Sequence, residues 1–269
     1  MTKVLLVNTN IEKHPYPIPP LGICLLASYL KPHYELKIYD SVFDEGRSLK
    51  ALVKTFQPDY IGFSIRNIDD VVADKEIFYM DRILSDFIRP VKAVTRVPVI
   101  LGGSGFSVFP EELMEHTGAD YGIVGDGEKV LLELLHRLDR DLPFGDLPQV
   151  LKKGRRMDPR QIPHNLLDYN SIPLSTIDQC IDFRPYRKRG VYSIQTKRGC
   201  ALKCIYCTYP GIEGTNYRLR EPDAIATEIE EATQRLGKVT FEFVDSTFNE
   251  PKGQAEVICR AIIKRKIRP

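Results

Sequence analysis

Residues 191–207 have the sequence VYSIQTKRGCALKCIYC, in which three cysteines follow directly on an apolar run. The run Val191–Thr196 is rich in β-branched and aromatic residues and predicts a strand. Cys200, Cys204 and Cys207 have the spacing C-x3-C-x2-C. In a chain kept in a reducing compartment, thiols clustered in this way indicate a bound metal before a disulfide. The stretch therefore predicts a strand that leads into a metal-binding loop.

The sequence after this loop predicts a second strand and two helices. A helix is expected at Pro222–Leu236, a strand at Val239–Val244 and a further helix from about Gln254. Together with the strand before the loop, these segments form two βα units. Two strands do not close a sheet by themselves, and the chain stops at Pro269 just after a helix. We therefore expect residues 191–269 to be the first part of a longer domain that is truncated here.

The sequence before residue 140 alternates short apolar runs with helical patterns in five βα units. This alternation predicts a doubly wound, flavodoxin-like (Rossmann-type) α/β domain with a five-stranded parallel sheet. The predicted strands are Lys3–Asn8, Glu35–Tyr39, Tyr60–Ser64, Val97–Leu101 and Tyr121–Val124. The predicted helices are Leu21–Leu30, Ser48–Phe56, Tyr79–Thr95, Pro110–Thr117 and Glu128–Leu138. Pro90 should kink or break the third of these helices.

The segment between the two regions has a different character. Prolines recur at positions 143, 148, 159, 163, 173 and 185, and neither helical nor strand periodicity persists. We therefore expect three parts: the α/β domain at residues 1–140, a connection at 141–190, and the domain at 191–269 that carries the cysteine loop.

The composition is that of a folded globular protein, with 43% hydrophobic and 28% charged residues. The 38 basic and 36 acidic side chains nearly cancel, so no overall field draws the chain onto DNA or an anionic membrane. No apolar run approaches the ~18 residues of a transmembrane helix, and the first run is too short for a signal peptide. We therefore expect a cytoplasmic protein without a transmembrane segment and without DNA as a partner.

The cysteine loop resembles the signature loop of the radical S-adenosylmethionine (SAM) superfamily. The resemblance includes Gly199 before the first cysteine and the aromatic Tyr206 before the last. It implies that Cys200, Cys204 and Cys207 hold a four-iron four-sulfur (4Fe-4S) cluster whose fourth iron takes SAM. It further implies reductive cleavage of SAM to a 5′-deoxyadenosyl radical, with a reductant such as flavodoxin or ferredoxin supplying the electron.

A structural zinc site is the alternative for the cysteine loop. Zinc takes four ligands in a tetrahedron, and Cys180 or Cys259 is available as the fourth. The spacing favours the cluster, because zinc loops more often use pairs of C-x2-C.

A polar turn follows the second predicted strand of this region, where Asp245 and Ser246 come directly after Val244. The resemblance implies that residues 191–269 are the first part of a radical SAM (β/α) partial TIM barrel, and barrel active sites lie at the carboxyl ends of the strands. The resemblance implies that Tyr206, Asp245 and Ser246 contact SAM. Capping of a turn or helix is the alternative for Asp245. No side chain is assigned a catalytic role.

Glycine-rich and polar residues follow the predicted strands of the first domain, where ligands bind in open parallel sheets. Glycines there let the backbone approach a bulky ligand closely. These turns resemble the cobalamin-binding domain that precedes the radical SAM barrel in one subclass, and the resemblance covers essentially the whole chain. It implies cobalamin contacts at Thr9, Asn10, Leu21, Gly22, Ser64, Arg66, Asn67, Gly102, Gly103, Ser104, Gly105, Phe106, Gly125, Asp126, Gly127 and Glu128.

One departure from corrinoid proteins concerns the cobalt ligand. The motif D-x-H-x-x-G, whose histidine ligates cobalt, does not occur around any of the five histidines. Many members of the resembled subclass also lack it and hold cobalamin without a histidine on cobalt. A domain that keeps the fold and has lost the ligand is the alternative.

The resemblance implies a cobalamin-dependent radical SAM enzyme that acts on an unactivated carbon of a small-molecule substrate. Methyl transfer is the expected reaction, with cyclisation or rearrangement as alternatives. A radical SAM methylthiotransferase is a second possibility, against which stands the single cysteine, Cys24, in residues 1–150. A non-catalytic corrinoid carrier or sensor with a structural metal loop is the third.

Overall fold

The computed structural model describes residues 1–44, 46–70, 77–157, 162, 168, 170 and 177–267. The chain divides into two compact units. The first comprises Met1–Ile11 and Tyr29–Pro163, and the second comprises Glu12–Ser28 and His164–Pro269. Helix α1 (Leu21–Leu30) therefore has its first eight residues in the second unit and its last two in the first.

The first unit is built on a six-stranded sheet with the order β2-β1-β3-β4-β5-β6. Its first five strands pair in parallel, in the order typical of flavodoxin-like folds. The predicted five-stranded parallel sheet is thus confirmed, with strand ends that differ by one or two residues. The strands are β1 (Lys3–Asn8), β2 (Glu35–Asp40), β3 (Tyr60–Ser64), β4 (Val99–Gly102), β5 (Tyr121–Ile123) and β6 (Val150–Lys152).

Strand β6 comes from the segment that the sequence predicts as a connection. It pairs antiparallel with β5, joining Val150 to Ile123 and Lys152 to Tyr121. The sheet therefore extends beyond residue 140, and the first unit includes part of the predicted connection. Residues 158–161, 163–167, 169 and 171–176 of that connection lie outside the described residues.

Helices follow most of the strands of this sheet. They are α2 (Leu49–Phe56), α3 (Met80–Arg82), a π-helical turn (Ile83–Ile88), α4 (Arg89–Lys92), α5 (Ser104–Val108), α6 (Pro110–Thr117) and α7 (Glu128–Asp139). The predicted helix at 79–95 is accordingly three short segments in succession. Pro90 lies in the first turn of α4, where its missing N–H costs least, and the wider π turn precedes it.

The core of the first unit lies between the sheet and these helices. The central strands β1, β3 and β4 are almost fully buried, as their continuous apolar runs predict for a sheet covered on both faces. Leu5, Phe63 and Leu101 from these strands pack with Phe87 and Leu113 of the helices. The turns at the carboxyl ends of the strands are therefore carried on a rigid base.

The second unit contains two short sheets. Strand β7 (Tyr192–Ile194) pairs in parallel with β10 (Phe241–Phe243), and β8 (Lys197–Arg198) pairs antiparallel with β9 (Arg218–Leu219). The parallel pair confirms the two predicted strands that flank the cysteine loop. The helices of this unit besides α1 are α8 (Ile177–Cys180), α9 (Arg184–Arg189), α10 (Tyr209–Glu213), α11 (Pro222–Leu236) and α12 (Gln254–Lys264).

A buried ion pair ties β9 to α11. The guanidinium of Arg220 donates to Glu228 at 2.7 Å and to the carbonyl of Gln195 at 2.9 Å, and both charged side chains are 7% exposed. The attraction between the two charges offsets part of the cost of burying them, and removal of one member is strongly destabilising because it leaves the other charge buried without a partner. Among the helices of the described residues, none combines the length and apolar character needed to cross a bilayer.

Substitution of Gly103, directly after β4, should destabilise the first unit. Its φ is +100°, and an added Cβ would lie 2.5 Å from the carbonyl oxygen of Ile65. We expect Gly103→Ala to lower the free energy of unfolding by about 2 kcal/mol or more, measured by urea denaturation. Gly145→Ala is the matched control, because no atom lies within 4 Å of its added Cβ. Equal stability of the two variants would contradict the strain assigned to Gly103.

Candidate functional site

The turns that follow β1 and β3 in the first unit are joined by hydrogen bonds. The hydroxyl of Thr9 donates to the carbonyl of Ser64 at 2.9 Å. The side chain of Asn8 accepts from the amide of Asn10 at 3.2 Å and donates to Asp40 at 2.9 Å. The predicted contacts Thr9, Asn10 and Ser64 therefore lie together at the carboxyl edge of the sheet.

The glycine-rich turn after β4 lies against the turn after β3. The amide of Gly105 donates to the carbonyl of Ile65 at 2.9 Å, and the hydroxyl of Ser104 donates to the carbonyl of Arg66 at 3.1 Å. An added Cβ on Gly105 would lie 2.9 Å from that same Arg66 carbonyl. Glycine is therefore required for the close approach of these two turns, while the side chain of Arg66 is exposed.

The turn after β5 is fixed by two residues that sequence reasoning missed. Ser107 accepts from the amide of Gly125 at 3.0 Å. Gln149, just before β6, donates to the carbonyls of Val124 and Asp126 at 3.1 and 3.3 Å. Both contacts join segments that are far apart in sequence, so no local pattern points to them.

Two predicted cobalamin contacts belong to the interior of the protein. Phe106 is fully buried in the core, and its ring occupies the space beside Gly122. Glu128 is 2% exposed in the first turn of α7. Burial of this kind fits support of the neighbouring turns better than direct contact with a large ligand.

A small pocket lies at the ends of β1 and β3. The predicted contacts Thr9, Asn10 and Asn67 line it together with Arg82 and apolar side chains. Amide, hydroxyl and guanidinium groups offer hydrogen bonds to the amide side chains of a ligand at this edge. Of the remaining predicted contacts, Gly102 ends β4, and Gly103 and Gly127 lie in the turns after β4 and β5.

Leu21 and Gly22 belong to the second unit, where they begin α1. An added Cβ on Gly22 would have no atom within 4 Å, so its backbone borders open space. Cys24 in the same helix is fully buried.

The cysteine loop connects β8 to α10 in the second unit. The backbone of Gly199 has a φ of +86°, and an added Cβ would collide with the carbonyl of Asn216. Cys200 is 4% exposed, and its amide donates to the carbonyl of Gly214 at 3.0 Å. Cys204 is exposed and Cys207 is half-buried. One cysteine is therefore anchored in the fold, while the other two are carried on the outer part of the loop.

The three thiols do not converge in this conformation of the loop. Within the described ranges, no three His, Cys, Asp or Glu side chains are placed to hold one metal ion. All three cysteines are free thiols, so the set has the soft donors that iron–sulfur clusters take. Cys180 instead directs its sulfur to the carbonyl of Cys24 at 3.8 Å, and Cys259 is exposed on α12.

The residues predicted to contact SAM lie in different surroundings. Tyr206 is 86% exposed at the tip of the cysteine loop. Both carboxylate oxygens of Asp245 are occupied, because they accept from the amide and hydroxyl of Thr196 at 2.7 and 2.6 Å and from the amide of Lys197 at 3.1 Å. The hydroxyl of Ser246 is buried without a hydrogen-bond partner among the described residues. Asp245 thus holds the end of β7, and Ser246 has the free hydrogen-bonding capacity.

Comparisons with known proteins match a family model to the amino-terminal part of the chain. The model of the B12 binding domain matches residues 7–135. Tryptophan 2-C-methyltransferase from Streptomyces laurentii is 27% identical over a 316-residue alignment that covers 98% of this chain and 52% of that protein. Hopanoid C-2 methylase from Rhodopseudomonas palustris is 24% identical over 244 residues, which cover 88% of this chain and 40% of that protein.

Solved structures give the same result for the fold. The radical SAM methyltransferase TsrM from Kitasatospora setae, with cobalamin and a [4Fe-4S] cluster bound, superimposes with a TM-score of 0.83 at 28% identity. The match covers 99% of this chain and 53% of TsrM. A second TsrM structure contains tryptophan and a SAM analogue and matches equally well. The chain spans about half the length of these relatives.

Removal of the Asp245 carboxylate should loosen the entry to the cysteine loop. In Asp245→Ala the amides of Thr196 and Lys197 lose their acceptor, so we expect their hydrogen exchange to accelerate by about tenfold or more, measured by NMR or mass spectrometry. Asp223→Asn is the control, because the Asp223 carboxylate is largely exposed, with one long ion pair to Arg265 at 3.8 Å. Unchanged protection of both amides in Asp245→Ala would show that other contacts hold β7.

Proposed function

Because the chain is a member of the cobalamin-binding radical SAM proteins, we propose that it binds a 4Fe-4S cluster, SAM and cobalamin and methylates an unactivated carbon. The observation that carries the proposal is the coexistence of a B12 binding domain at residues 7–135 with a C-x3-C-x2-C loop in the second unit. The substrate is a small molecule, and the electron comes from a reductant such as flavodoxin or ferredoxin. These partners and the cytoplasmic location belong to the proposal.

The cysteine loop fits a cluster by the chemistry of its donors. Cys200 supplies a thiolate on the buried side, and Cys204 and Cys207 supply two more from the outer loop. Exposed loop residues adapt their backbone to a ligand at lower cost than buried ones. A cluster and SAM supply, when bound, one-electron cleavage of the sulfonium bond, and cobalamin supplies the methyl group.

The residues around the loop have positioning roles in this proposal. Asp245 fixes Thr196 and Lys197, so that the loop begins at a defined place. The orphan hydroxyl of Ser246 offers a hydrogen bond to SAM, since a buried unpaired hydroxyl is costly unless a ligand satisfies it. Tyr206, at the exposed tip, is proposed to cover the ligand from the solvent side.

The edge of the first unit is proposed to hold cobalamin. Thr9, Asn10 and Asn67 line its pocket, and the turns at Gly103–Gly105 and Gly125–Gly127 bring backbone close to a ligand. Cys24, the single cysteine of residues 1–150, is fully buried, which weighs against a second cluster and hence against a methylthiotransferase.

Loss of any one loop cysteine should abolish iron loading. After anaerobic reconstitution, we expect about four irons per chain in the unaltered protein and essentially none in Cys200→Ala, Cys204→Ala or Cys207→Ala. Cys259→Ala, which removes an exposed cysteine of α12, should load fully. Retention of full iron and sulfide in any loop variant would contradict the cluster. Zinc without iron in the unaltered chain would favour a corrinoid carrier with a structural metal.

A bulky side chain at the carboxyl edge of the first unit should block cobalamin. We expect Ser104→Trp to reduce the hydroxocobalamin retained after desalting by about tenfold, because the ring would occupy the face between the turns after β3 and β4. Ser85→Trp, at an exposed position of the π turn in the same unit, should retain cobalamin. Equal retention by both variants would contradict the proposed face, and no retention by the unaltered chain would indicate that the domain has lost its ligand.

A further inference from the structure

The second unit contains a buried polar pair that the preceding proposal does not use. Ser193 of β7 and Glu242 of β10 are register partners in a parallel pair. Partners in a parallel pair project from the same face of the sheet. Their neighbours Tyr192 and Phe241 project from the opposite face, where their rings lie 5.3 Å apart and Tyr192 packs on Phe183. One face of this small sheet is therefore aromatic and the other is polar.

The polar face has hydrogen-bonding capacity that no described residue takes up. Ser193 is 1% exposed, and its hydroxyl is buried without a partner. The Oε2 atom of Glu242 is also buried without a partner among the described residues. Burial of a carboxylate oxygen or a hydroxyl without a hydrogen bond is costly and is seldom retained in a fold unless a ligand satisfies it.

Tyr16 holds the other oxygen of the same carboxylate. Its hydroxyl donates to Oε1 of Glu242 at 2.5 Å, and this hydrogen bond raises the pKa of Tyr16 above its ordinary value. Tyr16 is part of the segment Glu12–Ser28, which belongs to the second unit. The segment thereby orients Glu242 and leaves Oε2 as its available acceptor.

The chemistry of these groups selects one class of ligand. An oriented carboxylate with a free oxygen takes an N–H donor, and most strongly a cationic one. No lysine, arginine or histidine of the described chain forms an ion pair with Glu242. The Oε2 atom is buried while the side chain as a whole is half-buried, so a ligand must displace the groups that cover Oε2 to reach it. A neighbouring hydroxyl such as that of Ser193 offers a second hydrogen bond.

We propose that Glu242, oriented by Tyr16 and flanked by Ser193, binds a protonated amine of the substrate. The inference rests on the proposed function, because it places the substrate at the strands that carry the cysteine loop. It narrows the substrate to a molecule with an ammonium group. It assigns Glu242 to binding, with no proton or electron transferred.

The test compares two probes that differ only in the amine. Benzylammonium and benzyl alcohol have the same ring, so their relative affinity for the cofactor-free chain, measured by ligand-observed NMR titration, isolates the charged hydrogen bond. We expect the chain to prefer benzylammonium by about tenfold or more. Equal affinity for the two probes, or binding of neither, would overturn the proposal without the use of any variant.

Two matched variants locate the preference. Glu242→Gln retains an acceptor for Tyr16 and removes the charge, so the preference for benzylammonium should fall to about twofold or less. Glu256→Gln removes an equal charge from the exposed face of α12, where Glu256 pairs with Arg260, and should keep the preference. A preference that survives in Glu242→Gln would overturn the proposal.

SAM also contains an ammonium group, and a further arm separates it from the substrate. In the iron-loaded chain, SAM affinity should stay within about twofold in Glu242→Gln, because the proposal gives this carboxylate to the substrate. A parallel loss of SAM would assign Glu242 to SAM and overturn the proposal. The probe experiment needs neither cluster nor cobalamin. A negative result would therefore overturn the amine-binding proposal alone, while iron and cobalamin loading test the proposed function independently.

Discussion

Parallel pairing of strands is the constraint on which the rest of this structure depends. Because β1 to β5 run in the same direction, the turns that follow them meet at one edge, where hydrogen bonds from Thr9, Ser104 and Gly105 tie one turn to the next. The pairing of β7 with β10 acts in the same way in the second unit. It brings Asp245 to the end of β7 and so sets where the cysteine loop begins. Both candidate ligand sites thus follow from strand direction before any individual side chain is considered.

The strands and helices with a clear pattern of apolar residues were predictable from the sequence, whereas the short strands and helices were not. Continuous apolar runs mark β1, β3 and β4 because these strands are covered on both faces. Strand β6 has three residues and lies in a proline-rich stretch, so it carries no period. Helix α5 has five residues that include a glycine, and it likewise shows no helical periodicity in the sequence. The π turn before Pro90 depends on how the backbone accommodates the missing N–H of proline. A pattern of apolar residues does not indicate this.

In the candidate site, too, the features with a local sequence signal were predictable and those that depend on tertiary contacts were not. The spacing of the three cysteines is a local signal from which a metal site could be predicted. The conformation of their loop depends instead on the close contact between Gly199 and Asn216. Asp245 was expected to contact SAM or to cap a turn, and in the structure its carboxylate accepts hydrogen bonds from Thr196 and Lys197. Ser107, Gln149 and Tyr16 act on residues distant in sequence. Tertiary contacts of this kind leave no trace in spacing or composition.

The order of the two units along the chain has a consequence for synthesis on the ribosome. Residues 12–28 emerge before residues 164–269, yet both segments belong to the same unit. This early segment can pair with the rest of its unit only after residues 164–269 have been synthesised. A domain that is interrupted in this way does not fold strictly in order of translation. The apolar start of α1, which includes Cys24, therefore reaches its final packing only late in the synthesis of the chain.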